Sequence, residues 1–215
     1  MTPKLYVYEH CPFCVKARMI FGLKNIAFEK VILLNDNEAD PIRMVGKKTL
    51  PILEEEGHFM GESMDIVAHV DKQNQPIVVG PTSPEIAAWL KEVMPLSAPL
   101  IMPRVACAPL KDFATTGARA YFLCKKEALT GPFNECLGKS ESLVEELNLL
   151  LEKLAPMIKE SNAVNGQLST DDFHLFAQLR SFSIVKNAHY PLEVATYLQT
   201  MSKLSKVSLL DAVAV

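Results

Sequence analysis

The run Cys11-Pro12-Phe13-Cys14, placed between a short apolar segment and an amphipathic one, constrains this chain more than any other feature. Leu5 to Tyr8 reads as a strand. Pro12 to about Lys24 reads as a helix with Val15, Met19 and Leu23 on one face. Pro12 suits the first helical turn, where no N–H is needed. The cysteine pair therefore belongs at a strand-to-helix junction. A helix N-terminus carries about half a positive charge from unpaired N–H groups, which favours an anion. A cysteine held there ionises with a pKa of about 4–7 instead of about 8.5. Cys11, at the N-cap, is expected to be the thiolate, and Cys14, one turn inside, the more shielded partner.

Other uses of the pair fit less well. Zinc wants four ligands, commonly as two close pairs. The remaining cysteines, Cys107, Cys124 and Cys136, are single, and no second C-x-x-C exists. These three are expected to be small apolar core residues. A structural disulfide across so short a loop would constrain little of the unfolded chain. Redox chemistry without a metal is the reading that remains.

Composition removes several function classes. A formal charge of −3 offers no basic face for nucleic acid. No run of about 18 apolar residues could cross a membrane. Met1-Thr2-Pro3-Lys4 leads straight toward a strand with no apolar leader segment. Five cysteines in such a chain point to a reducing compartment, the cytoplasm.

Along the chain, strands and helices alternate through residue 72. Phe28 to Leu33 reads as a second strand, and Val31 to Leu34 is apolar enough to be buried on both sides. Asn25 or Gly22 could end the preceding helix in a left-handed conformation. Pro41 to Val45 is a short helix. Ile52 to Glu54 and His58 to Met60 form a hairpin around Glu55 to Gly57. Glu62 to Lys72 is a helix with Ile66, Val67 and Val70 inward. The order is βαβαββα. Residues 73–84, rich in Pro, Gly, Asn and Gln, form a linker whose Ile77-Val78-Val79 patch docks onto one domain.

From residue 85 to 215 strand patterning disappears, which predicts an all-helical domain. Its helices are expected at Glu85 to Met94, Asp112 to Leu129, Glu141 to Leu154, Asp171 to Lys186 and Leu192 to Lys206. Leu143, Leu147, Leu150, Leu151 and Leu154 make the third the clearest. Ser169 followed by Asp172 reads as a capping box. Glu62-Ser63-Met64-Asp65 has two readings by residues alone. It can be an ordinary helix start, with Ser63 as the cap, or a helix N-terminus that receives a carboxylate.

The βαβαββα half with its C-x-x-C resembles the thioredoxin-like layout. Its Cys-Pro-Phe-Cys is closer to the Cys-Pro-Tyr-Cys of glutaredoxins than to the Cys-Gly-Pro-Cys of thioredoxin. Thr49-Leu50-Pro51 resembles the Thr-Val-Pro segment whose proline is cis in that family. Followed by a helical half, the whole resembles the glutathione-transferase architecture. With His10 to Ile26, Arg43-Met44-Val45-Gly46 and Glu62 to Val67, it resembles the two-domain bacterial glutaredoxins. Phe13 in place of tyrosine removes a hydroxyl and keeps the ring. Leu50 in place of valine leaves the backbone contact intact.

The resemblance implies an α/β thioredoxin-like domain over 1–72 and an all-α domain over 85–215, with glutathione as co-substrate and no metal. Cys11 and Cys14 would be catalytic. Glutathione would be held by Pro12 and Phe13 of the motif and by the Leu50 backbone beside Pro51. Ser63 would take its γ-glutamyl carboxylate, with Glu62 or Asp65 near the amino group. Lys47 or Lys48 would meet the glycine carboxylate, Lys48 being the one taken as a site residue. Partners would be glutathionylated or disulfide-bonded proteins, and the chain a monomer. His10 would assist the thiolate electrostatically or simply pack. Two other activities fit the architecture. One is a transferase conjugating glutathione to electrophiles, which has no need of Cys14. The other is a redox-sensing protein whose helical half binds a partner.

Overall fold

The computed structural model describes residues 2–215. Strand β1 (Lys4–Val7) pairs in parallel with β2 (Glu29–Ile32) and antiparallel with β3 (Ile52–Glu55), and β4 (His58–Met60) pairs antiparallel with β3. The sheet order is β2-β1-β3-β4. Helix α1 (Pro12–Leu23) makes the crossover from β1 to β2. Helices α2 (Ala39–Val45) and α3 (Ser63–Asp71) complete this half.

The strand edges differ from the sequence reading by a residue or so. One environment differs more. Strand β2 lies at the sheet edge, with Glu29 and Lys30 exposed and Val31 and Ile32 only half-buried. Of the apolar run Val31 to Leu34, Leu33 alone is buried, so the expected burial on both sides is not found. An apolar run records average burial and not position in the strand order.

Helix α1 ends in a Schellman turn. Asn25 adopts φ 53°, its N–H donates to the Gly22 carbonyl (3.0 Å), and the Ile26 N–H donates to the Phe21 carbonyl (2.8 Å). Gly22 serves a different purpose. A Cβ built on it would lie 1.8 Å from the Ser205 carbonyl oxygen, so only glycine lets α1 approach the end of α9 (Leu192–Ser205).

The helical half is α4 (Pro84–Cys107), α5 (Thr116–Thr130), α6 (Phe133–Gly138), α7 (Ser140–Leu154), α8 (Thr170–Phe182) and α9, with a 3-10 turn at Lys111–Phe113. Helix α4 runs through Pro95, Pro99 and Pro103, well past the expected end at Met94. Spacing of four keeps the three missing N–H groups on one side. Val93, Leu96, Leu100 and Pro103 itself stay buried. Helix α6 carried no periodic signal. Helix α8 stops at Phe182, four residues short of the expected Lys186.

The segment between α3 and α4 is docked through its backbone. Asp71 accepts from the Ile77 (2.9 Å) and Val78 (3.3 Å) N–H groups. The Gly80 N–H donates to the Leu168 carbonyl (2.8 Å) and the Ser83 N–H to Asp171 (2.7 Å). Helix α1 packs against α3 on its own side and against α8 and α9 of the helical half. The two halves thus share a face along the helix that begins with the cysteine pair. No helix among the described residues is long and apolar enough to cross a membrane.

Candidate functional site

Strand β1 ends at Val7, and Tyr8, Glu9 and His10 carry the chain beyond the end of the strand to Cys11. Cys11 is the N-cap of α1, with Pro12 in the first turn. Its Sγ accepts a hydrogen bond from the Cys14 N–H at 3.4 Å, the geometry of a capping oxygen with sulfur in its place. The Val15 N–H donates to the Cys11 carbonyl (3.1 Å). Both thiols are free.

Burial separates the pair. Cys11 is half-buried at a cleft, whereas Cys14 is wholly buried, its Sγ accepting from the Tyr8 N–H at 3.4 Å. The Cys11 thiol is brought down to about 6. The hydrogen bond from the Cys14 side chain contributes most, followed by the charge of His10 and the N–H groups of Cys14 and Phe13. Burial and the neighbouring Cys11 anion push the Cys14 thiol well up. At neutral pH the site holds one thiolate, on the accessible sulfur, and one thiol behind it.

The cleft enclosing Cys11 has a volume of about 920 Å³ and lies between the two halves. Cys11, Pro12, Phe13, Lys48 and Leu50 line it. Phe13 stands 56% exposed at its mouth, with the Lys16 ammonium 4.8 Å from the ring centroid. The Leu50–Pro51 peptide is cis, as the resemblance to the Thr-Val-Pro segment implied. Pro51 is buried behind Leu50.

The remaining expected residues lie outside the lining. Ser63 is the first residue of α3 and is buried. Glu62 is the N-cap, held at φ 62° and ψ 112°, so Ser63 is not itself the cap. A side chain at positive φ costs about 1–3 kcal/mol and marks a backbone set by its surroundings. The exposed Glu62 carboxylate pairs with Lys47 at 2.7 Å, which spends Lys47 outside the cleft. Lys48 reaches inward: its ammonium donates to the Asn35 carbonyl (2.7 Å), lies 3.8 Å from Glu38 and sits 3.5 Å from the Tyr121 ring centroid.

The helical half adds residues that no local spacing could have revealed. Tyr121, Phe122 and Lys126 of α5 and His174 of α8 line the cleft. The Lys16 ammonium lies 2.8 Å from His174 Nδ1, and burial lowers the pKa of both groups. Asp112, in the 3-10 turn, bonds His10. The expectation for the other cysteines is corrected: Cys107 and Cys124 are exposed on α4 and α5, and only Cys136 is buried. Both exposed residues lie on the outward side of their helices, where periodicity favours polar residues but does not exclude cysteine. Among the described residues no cluster of three His, Cys, Asp or Glu could hold a metal ion.

Comparison with known proteins agrees with this geometry. A family profile described as "Glutaredoxin 2, C terminal domain" matches residues 85–214, and one described as "Glutathione S-transferase, N-terminal domain" matches residues 5–78. Glutaredoxin 2 of Escherichia coli strain K12 is 45% identical over 214 residues, covering 99% of this chain and 100% of that protein. The crystal structure of glutaredoxin 2 from Salmonella typhimurium in complex with glutathione superposes with a TM-score of 0.98. It is 45% identical and covers 100% of this chain and 99% of that one. A glutathione transferase of Phanerochaete chrysosporium, GSTFuA3, has a TM-score of 0.72 at 14% identity, covering 95% of this chain and 97% of that one. That likeness speaks to the fold alone.

Proposed function

The chain belongs to the glutaredoxin 2 family, a family of glutathione-dependent thiol–disulfide oxidoreductases, and we propose how its residues divide that work. Cys11 is the nucleophile. Its thiolate attacks the glutathione sulfur of a protein–glutathione mixed disulfide. A Cys11–glutathione disulfide forms, the old sulfur–sulfur bond breaks, and the target protein leaves as a thiolate that takes a proton. The thiolate of a second glutathione then attacks the glutathione sulfur on Cys11, releasing oxidised glutathione and restoring the Cys11 thiolate. In a second route Cys11 attacks a protein disulfide and Cys14 resolves the mixed disulfide. Two glutathione molecules later reduce the Cys11–Cys14 bridge. Exchange is fastest when the attacking thiol has a pKa near ambient pH, which suits Cys11.

The observation carrying this reading is the division of the pair: an accessible sulfur lowered to about 6 beside a buried one held as the thiol. Glutathione lies along the cleft. The Leu50 backbone pairs with its cysteinyl part beside Pro51, in the manner of an added strand. Pro12 and Phe13 flank the reacting sulfur. The γ-glutamyl carboxylate sits at the N-terminus of α3 on Ser63, with Glu62 toward the amino group. Lys48, and not Lys47, meets the glycine carboxylate, because Lys48 lines the cleft while Lys47 is paired outside it. Residues 1–72 and 85–215 form the two domains, joined by 73–84. The protein acts as a monomer in the cytoplasm on glutathionylated and disulfide-bonded proteins.

Trapping tests the assignment. The Cys14→Ser variant, incubated with oxidised glutathione, is expected to carry one glutathione, located on the Cys11 peptide by mass spectrometry. Glutathione found only on the exposed Cys107 or Cys124 would contradict it.

A further inference from the structure

Asp112 is wholly buried, yet it belongs to a short turn of the helical half and its partners lie in the other half. Its carboxylate bonds His10 Nδ1 and accepts from the Glu9 N–H at 3.2 Å, while its carbonyl accepts from the Asn35 N–H at 2.9 Å. A carboxylate taken out of water is costly unless a cation and hydrogen bonds meet it. Among the described residues, the partner within ion-pair reach is His10, which is a cation only when its ring is protonated. The ring is also clamped. It stacks between Tyr8 (5.6 Å) and Phe113 (5.0 Å), and Phe122 meets it edge-on at 5.2 Å. Two of those three rings come from the helical half. With Nδ1 bonded to Asp112, His10 also lines the cleft together with Cys11.

We propose that Asp112 is a positioning residue for the thiol chemistry, fixing the orientation of the His10 ring next to Cys11 so that its charge acts on the sulfur. The helical half thereby positions part of the charge that makes the thioredoxin-like half reactive. This rests on the reading of Cys11 as the nucleophile. Imidazolium next to a thiolate lowers the thiol pKa, and the charge of His10 acts on Cys11 in that direction. The other charged or titratable groups facing Cys11 are Cys14 and Lys16 on α1, Tyr8 after β1 and Arg180 on α8, with Arg18 and Glu9 behind them. A change at residue 112 also removes a charge that Tyr8 and Arg180 feel, so the comparison with a His10→Phe background is what isolates the His10 contribution.

The measurement is the pH dependence of Cys11 alkylation by iodoacetamide, in full-length protein carrying Cys14→Ser, with and without Asp112→Asn. Asparagine keeps the shape and can still accept from the Glu9 N–H. The alkylation midpoint is expected to rise by about one pH unit, slowing alkylation at pH 6 roughly fivefold. In a His10→Phe background, which keeps an aromatic ring in the stack, Asp112→Asn should produce no upward shift. A purely structural role would shift both backgrounds alike and would overturn the proposal. A parent midpoint near 6 that Asp112→Asn leaves unchanged would also overturn it, with the Cys11 assignment intact. A parent midpoint near the ordinary thiol value would instead contradict the Cys11 assignment itself. Should Asp112→Asn fail to fold, His10→Phe alone must raise the midpoint, and an unshifted His10→Phe overturns the proposal.

Discussion

At the scale of single residues the chemistry turns on which sulfur is charged. The folded-state pKa of Cys11 is depressed to about 6, so its thiolate persists above that pH and is lost as pH falls through it. Glutathione-independent alkylation of Cys11 in the wild-type protein should therefore be nearly flat above pH 7 and fall about tenfold per unit below pH 6. A rate still climbing between pH 7 and 9 would show that the helix start and Cys14 do not stabilise the anion. Ser63 makes a second prediction. A hydrogen bond to a charged group contributes about 1.5–3 kcal/mol, so Ser63→Ala should raise the KM for glutathione at least about tenfold and leave kcat nearly unchanged. Steady-state kinetics with varied glutathione would decide it. An unchanged KM would place the γ-glutamyl end elsewhere.

Elements show where sequence reasoning succeeds and where it stops. Helix α7 is legible because its leucines repeat at helical spacing: Leu147, Leu150, Leu151 and Leu154 are buried, while Leu143 is only half-buried and Val144 beside it is buried instead. Helix α1 is legible from Pro12 at one end and Asn25 at the other. Helix α4 is not, because proline ordinarily ends a helix. Here Pro95, Pro99 and Pro103 are tolerated by packing that only the tertiary structure supplies. The same limit applies to the site. Cys11, Cys14, Leu50 and Pro51 sit in local motifs, whereas Asp112 and His174 reach the cysteine region from over 100 residues away.

The start of α8 combines both cases. The capping box was readable, and Asp172 accepts from the Ser169 N–H at 2.8 Å. Its wider role was not: it also accepts from the Val164 N–H (2.7 Å) and the Tyr197 hydroxyl (3.0 Å). Asp172→Ala leaves these buried donors unpaired and should cost about 3–5 kcal/mol. Urea unfolding followed by the fluorescence of Trp89, the only tryptophan, measures it. A loss under about 1 kcal/mol would mean that water replaces the carboxylate.

At the scale of the whole molecule, the helix that begins with the cysteine pair is also the seam between the halves. Its far end is seated on α9 by Gly22, with no room for a Cβ against the Ser205 carbonyl. Gly22→Ala must part the two helices and should destabilise the protein by about 2 kcal/mol or more, read as a lower urea midpoint. An unchanged midpoint would show that the halves can separate along this face without loss. The docked helical half walls the cleft with Tyr121, Phe122 and His174, and so shapes what can approach Cys11. The central claim is that Cys11 carries the exchange and that Cys14 is needed only where a protein disulfide must be resolved. The most direct measurement is glutathione-dependent turnover of a small glutathione mixed disulfide by wild type, Cys11→Ser and Cys14→Ser. This account predicts that Cys11→Ser is inactive and Cys14→Ser retains much of the wild-type rate. A wild type inactive on the mixed disulfide that conjugates glutathione to an electrophile, with Cys14→Ser fully active in that reaction, would contradict it.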